Sequence, residues 1–174
     1  MAYFSLIGFA YLLIEIPFFQ TLILFLGQPT YALTIVLFSI LLFSGIGSQL
    51  SGKFDVRRSI VGLILLVFVI MWGLPAIIRV SLGFNFILRV LITVLVLAPL
   101  GVLMGMPFPG GIMILEEKAP GLIPWVWGIN GAASVLASIL SMLLALSFGL
   151  KIVLVVGALC YLGAWYFIPR LGLI

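Results

Sequence analysis

Apolar residues run along this chain in six long blocks, and the polar positions between and inside them set its organisation. The blocks span about 3–26, 31–50, 60–78, 86–106, 125–148 and 151–168. At 1.5 Å per residue the first rises roughly 36 Å, about the thickness of a bilayer's apolar core. The pattern predicts an all-α integral membrane bundle of about six transmembrane helices, forming one domain over residues 1–174.

The breaks between blocks are short. Gly27-Gln28-Pro29-Thr30 reads as a tight turn by its Gly and Pro. The loop Ser51–Ser59 carries Lys53, Asp55, Arg57 and Arg58, the densest charge in the chain, and a polar turn surrounds Asn85. Residues 107–124 read as an interfacial break, because Met106-Pro107-Phe108-Pro109-Gly110-Gly111 is too rich in Pro and Gly to continue a helix. A short amphipathic piece, Ile112–Leu115, then delivers Glu116, Glu117 and Lys118 to the interface, and Pro124-Trp125-Val126-Trp127 opens the fifth helix as an aromatic anchor.

Composition agrees with a membrane bundle. The 174 residues are 66% hydrophobic and 7% charged, with mean hydropathy +1.50, whereas soluble chains carry about 25% charged residues. No length remains for a soluble catalytic domain. The net charge of +4 comes from eight basic residues scattered among loops, so it marks topology and not a nucleic-acid surface. With six helices both termini share one side. That side collects Lys53, Arg57, Arg58, Lys118 and Arg170 against Arg79, Arg89 and Lys151 opposite, which favours cytoplasmic termini. The first block is too long, and lacks the basic flank, for a cleaved signal peptide. There is no His and one Cys, Cys160, so neither a His/Cys metal site nor an internal disulfide is available, and no cofactor is implied.

Candidate chemistry centres on Glu15, a carboxylate in the middle of the first block. A charge at that depth must pair, neutralise or face a wet cavity. Ser5, Gly8, Tyr11 and Glu15 share a helix face, Pro17 removes a backbone hydrogen bond just beyond, and Gln20 follows. Glu15 reads either as a solute-binding or proton-coupling group, or as a packing device bonded to a neighbouring helix, for instance at Asn130. In the fifth helix Ala133, Ala137, Ser141, Ala145 and Gly149 recur every four residues, a small-residue face for packing, as do Gly101 and Gly105 in the fourth. Beside it Asn130, Ser134 and Ser138 form a polar stripe, either a pathway lining or interhelical glue. Trp125 and Trp127 are interface anchors or stacking groups. Glu116 and Glu117 point about 100° apart on a helix and make no acid/base pair. The basic loop Lys53, Arg57, Arg58 suits anionic headgroups or simple orientation. Pro17 and Pro99, at similar depths in the first and fourth helices, hint at a three-plus-three inverted repeat. No phosphate loop, nucleophile–His arrangement or dinucleotide fingerprint is present.

Three stretches together resemble a known family: Glu15-Ile-Pro-Phe-Phe-Gln20 with Leu24-Phe-Leu-Gly-Gln-Pro-Thr-Tyr-Ala32; Val36-Leu-Phe-Ser with Ser44-Gly-Ile-Gly-Ser48 and Ser51-Gly-Lys53; and Gly105-Met-Pro-Phe-Pro109 with Pro124-Trp-Val-Trp-Gly-Ile-Asn-Gly-Ala-Ala-Ser134. They are similar to the C-terminal transmembrane region of bacterial membrane proteins described as spermidine synthase-like, where helical bundles accompany a soluble aminopropyltransferase-type domain. More distantly, Gly47-Ser-Gln-Leu-Ser-Gly-Lys-Phe-Asp-Val-Arg-Arg58 resembles the basic loop between helices two and three of major facilitator transporters, of which six helices would be one half. The catalytic domain is absent from this chain, so the resemblance implies a membrane module of the bacterial inner membrane and transfers no catalytic residue.

The expectation is therefore a non-catalytic, transporter-like module. It would bind or move a small, polyamine-like solute, with Glu15 as charged ligand and Tyr11, Gln20, Trp127 and Asn130 as neutral neighbours. Its rival is an accessory subunit that anchors a soluble partner enzyme or joins a larger membrane complex. Both readings place the chain in the lipid bilayer, as a homo-oligomer or part of an assembly.

Overall fold

A computed structural model describes residues 1–171, with side chains through Ile168. Among these residues the chain is helical and has no strands. The helices are α1 (Ala2–Leu26), α2 (Pro29–Leu50), α3 (Val56–Ser81), α4 (Phe86–Gly105), α5 (Pro107–Lys118), α6 (Ile123–Phe148) and α7 (Leu150–Leu171). Short 3-10 turns fill Ser51–Lys53 and Pro120–Leu122. Six stretches are long and apolar enough to cross a membrane, with α4 and α5 counting as one.

The helices start where backbone chemistry permits. Pro29 opens α2, at the position where a missing N–H costs nothing. The Asp55 carboxylate accepts a hydrogen bond from the Arg57 N–H at 2.9 Å, and the Asn85 side chain accepts one from the Leu88 N–H at 2.9 Å. The Asp55 cap moves the start of the third helix from the expected residue 60 to Val56. Arg57 and Arg58 therefore belong to its first turn and not to a loop.

The expected interfacial break at 107–124 is largely helix, which corrects the reading of its Pro and Gly content. Met106 keeps right-handed helical angles, and its N–H bonds the Leu103 carbonyl at 3.4 Å, one residue tighter than an α-helical bond. Pro107 and Pro109 then occupy the first turn of α5, where their missing donors would have been unpaired anyway. The result is a bend between α4 and α5, not a gap. The last helix likewise runs through Pro169 to Leu171, past the expected end at 168; the side chain of Arg170, counted with the basic residues of that end, lies outside the described residues.

α1 is the axle of the bundle. Tyr3, Phe4, Ile14, Phe18, Leu22 and Phe25 are all buried along it. The other spans follow in the order α2, α4, α3, α7, α6, each packed on the next; α1 packs most heavily on α6 and α7 and has no comparable contact with α3. α2 and α6 have no comparable contact with each other, so the ring is open between them. The tightest seams use glycine: a Cβ on Gly105 would overlap the Ser44 carbonyl of α2, and one on Gly8 would stand 2.5 Å from the Asn130 carbonyl of α6. The α1–α6 and α2–α4 seams are exchanged by the pairing of a three-plus-three repeat. The extensive α1–α7 seam has only a small counterpart in α3–α4.

Cations lock both ends. Arg89 donates to the Phe25 carbonyl at 3.2 Å, meeting an orphan acceptor at the end of α1, and to the Phe84 carbonyl at 2.9 Å. Lys151 sits 4.5 Å from the centre of the Trp72 ring, and the Arg57 guanidinium 5.6 Å from that of Trp165.

Candidate functional site

Where the ring is open, the bundle contains a cavity of about 490 Å³ between α1, α2, the α4–α5 bend, α6 and α7. Its polar lining comes from four helices. Tyr11 rises from α1, Ser44 and Ser48 stand one turn apart on α2, Asn130 and Ser134 one turn apart on α6, and Tyr161 enters from α7. Ile7, Leu12, Leu41, Met104 and Phe108 supply the apolar wall. No charged side chain lines it.

The α4–α5 bend contributes backbone. Met104, Gly105 and Pro107 border the cavity, and Pro109 has no N–H to offer the Gly105 carbonyl. Tyr3 fixes the bend by donating its hydroxyl to the Pro107 carbonyl at 2.6 Å. From Tyr3 an edge-to-face chain of rings crosses the end of the cavity: Tyr3–Phe4 at 5.1 Å, Phe4–Phe108 at 5.6 Å and Phe108–Trp127 at 4.5 Å.

Of the residues proposed to bind solute, Tyr11 and Asn130 line the cavity and Trp127 stands at its edge on Phe108. Glu15 does not line it. It lies one turn beyond Tyr11, is 6% exposed, and has no hydrogen bond or ion pair among the described residues. Gln20 lies further along α1, also outside the lining. The suggested Glu15–Asn130 bond is not formed: the Asn130 amide donates to the Phe4 carbonyl at 2.9 Å. Ser134 donates at 3.2 Å to the Gly8 carbonyl and at 3.0 Å to Asn130's own carbonyl. Asn130 and Ser134 thus join α6 to α1 while facing the cavity. Ser138 turns back to the Val135 carbonyl at 2.8 Å.

Among the packing residues, Ala133, Ala137 and Ser141 are buried, Ala145 is half-buried, and Gly101 is buried against Ile40 and Phe43. Lys53, Arg57, Arg58, Glu116 and Glu117 are exposed. Asp55 and Glu117 border a second, smaller hollow of about 310 Å³ beside α5. In the sequence Ser44 and Ser48 stand out only within the stretch that carries the family resemblance, and Tyr161 does not stand out at all. The four-residue spacing of the two serines was the available signal; a lone tyrosine in an apolar run offers none. No group of three metal-ligating side chains occurs among the described residues.

Comparison of this chain with protein-family models, with curated proteins and with solved structures finds no match. What the site does is therefore read from its own chemistry.

Proposed function

We propose that this chain is a non-catalytic, transporter-like half bundle of the bacterial cytoplasmic membrane, with both termini cytoplasmic, that binds or moves a small solute. One observation carries the reading: the cavity of about 490 Å³ at the open side of the ring. Its volume suits a small molecule, and its mixture of apolar wall with a few convergent polar groups is what ligand sites require. The position at a helix bend, where backbone carbonyls lose donors, is also where transporter sites form. The likeness to the spermidine synthase-like membrane region names a polyamine as a cationic alternative, for which Glu15 would have to reach the cavity from one turn beyond Tyr11, with a homo-oligomer as the working assembly.

Binding of labelled spermidine to the reconstituted protein tests the cationic form. Saturable binding that is lost in Glu15→Gln supports it; binding unchanged in that variant removes Glu15 from the site.

The accessory-subunit reading has an observation of its own. α6 presents Leu136, Ile139, Leu143 and Leu146 outward, each more than half exposed, beside the exposed Trp125. A stoichiometric partner, such as a separately encoded spermidine synthase-like enzyme, recovered on gentle purification would be its signature.

A further inference from the structure

We infer that the cavity is entered sideways from the bilayer, between α2 and α6, and that its ligand is a neutral amphiphile whose hydrogen-bonding head reaches the Tyr11–Asn130 floor. This rests on the cavity being the solute site, and it names both the route and the ligand class.

The route follows from which walls are closed. Toward the end of the bundle where α1 begins, the ring chain Tyr3–Phe4–Phe108–Trp127 and the Tyr3–Pro107 hydrogen bond cross between α1, α5 and α6. On the inner side α1 itself is the wall, backed by α7. Between α2 and α6 no such packing exists. Gly45 lines the cavity there, and a Cβ on it would meet no heavy atom within 4 Å. Leu41, one turn earlier on the same face, is 63% exposed. The floor residues Tyr11 and Ser134 sit roughly 15 Å along their helices from the starts of α1 and α6. That depth lies among the acyl chains of one leaflet. The opening therefore faces hydrocarbon, not water.

The ligand class follows from the lining. Tyr11, Ser44, Ser48, Asn130, Ser134 and Tyr161 offer hydroxyl and amide dipoles, with no formal charge among them. A polycation placed there would be desolvated without a counter-ion, which hydroxyls do not offset. Glu15, the one buried carboxylate, stands outside the lining. A neutral head has the opposite balance: Ser44, Asn130 and Ser134 already donate to main-chain carbonyls, but their oxygens still accept, and the hydroxyls of Tyr11, Ser48 and Tyr161 join them, while an apolar tail continues through the gap past Leu41 into the membrane. Arriving from the bilayer also means that the tail need not cross water.

The test uses the full chain in phosphatidylcholine nanodiscs with a diacylglycerol bearing a photoreactive diazirine beside its glycerol. Labelled positions are mapped by mass spectrometry, and labelled spermidine is bound to the same discs. Gly45→Trp fills the entrance from a position with free space. Gly128→Trp, on a part of α6 with equally free space away from the lining, is the control. The expected result is labelling at Tyr11 and Phe108 in the parent and in Gly128→Trp, lost in Gly45→Trp. Labelling confined to the outer faces of the helices, with spermidine binding that Gly45→Trp abolishes, overturns the amphiphile while keeping the cavity as a solute site. If neither ligand responds to Gly45→Trp, the solute-binding reading falls with it. Should Gly45→Trp fail to fold, the parent's label map decides alone, since cavity and outer-surface residues are distinct.

Discussion

α1 and α6 are nearly equal in length and hydropathy, yet 50% of an apolar 18-residue stretch of the first span is buried inside the bundle and only 17% of the matching stretch in the span containing α6. The difference lies in which side chains meet the protein. α1 buries large groups all round, from Tyr3 and Phe4 to Phe25, whereas α6 buries only Val126, Ala133, Ala137 and Ser141 along a single narrow face. Lipid tails are as apolar as leucine, so membrane helices are not sorted by hydrophobicity. Small residues and a few polar atoms decide the docking instead. α6 lies against α1 through Asn130 and Ser134 at the small Gly8, the two helices running parallel, and turns its leucines outward.

The largest test of this contrast is truncation of a large side chain on each helix. Phe4 is fully buried, and Phe4→Ala should cost about 3 kcal/mol through the void it leaves. Leu146 is 81% exposed, and Leu146→Ala should be close to neutral. Reversible unfolding in mixed micelles would measure both. Equal losses would mean that the outer face of α6 is covered by something, which would revive the subunit reading.

A smaller effect comes from adding volume. Gly8→Val would push a branched Cβ against the Asn130 backbone carbonyl and should cost about 1–3 kcal/mol, because the obstacle is main chain and cannot swing away. Gly131→Val, on the open side of α6 with no heavy atom within 4 Å of its Cβ, should change stability little. If the two variants unfold alike, the α1–α6 seam is looser than its glycine contact implies.

This is also where the sequence was least informative. Six apolar blocks and their turns could be read from residue type alone, because a bilayer demands long uncharged helices. The central place of α1 could not, since both sides of every helix are apolar and no amphipathic stripe points inward. Gly8 was seen only as one member of the Glu15 face. The helix from Pro107 to Lys118 was missed because Pro was weighed as a breaker and not as a first-turn residue. At the site, Tyr11 and Asn130 were found through polarity at helical spacing. Glu15 attracted attention for the cost of its charge, but a side chain's cost does not say which cavity it faces.

The smallest effect gives the finest reading of the seam. Ser134 and Ser141 lie seven residues apart on α6 and so share its inner face. Ser134 donates to the Gly8 carbonyl across the seam at 3.2 Å, whereas the Ser141 hydroxyl is fully buried with no hydrogen-bond partner. Ser134→Ala should therefore cost about 0.6 kcal/mol, the usual worth of a hydrogen bond between membrane helices. Ser141→Ala should be neutral or slightly stabilising, because it removes a polar group that burial leaves unsatisfied. Seven residues beyond Gly8 on the parallel α1 comes Glu15, at the level that Ser141 occupies on α6. If Ser141→Ala instead costs more than about 1 kcal/mol, and Glu15→Gln removes that cost, the two side chains bond across the seam. Glu15 would then be the fastening of axle to wall, and its carboxyl would have no part in holding a solute.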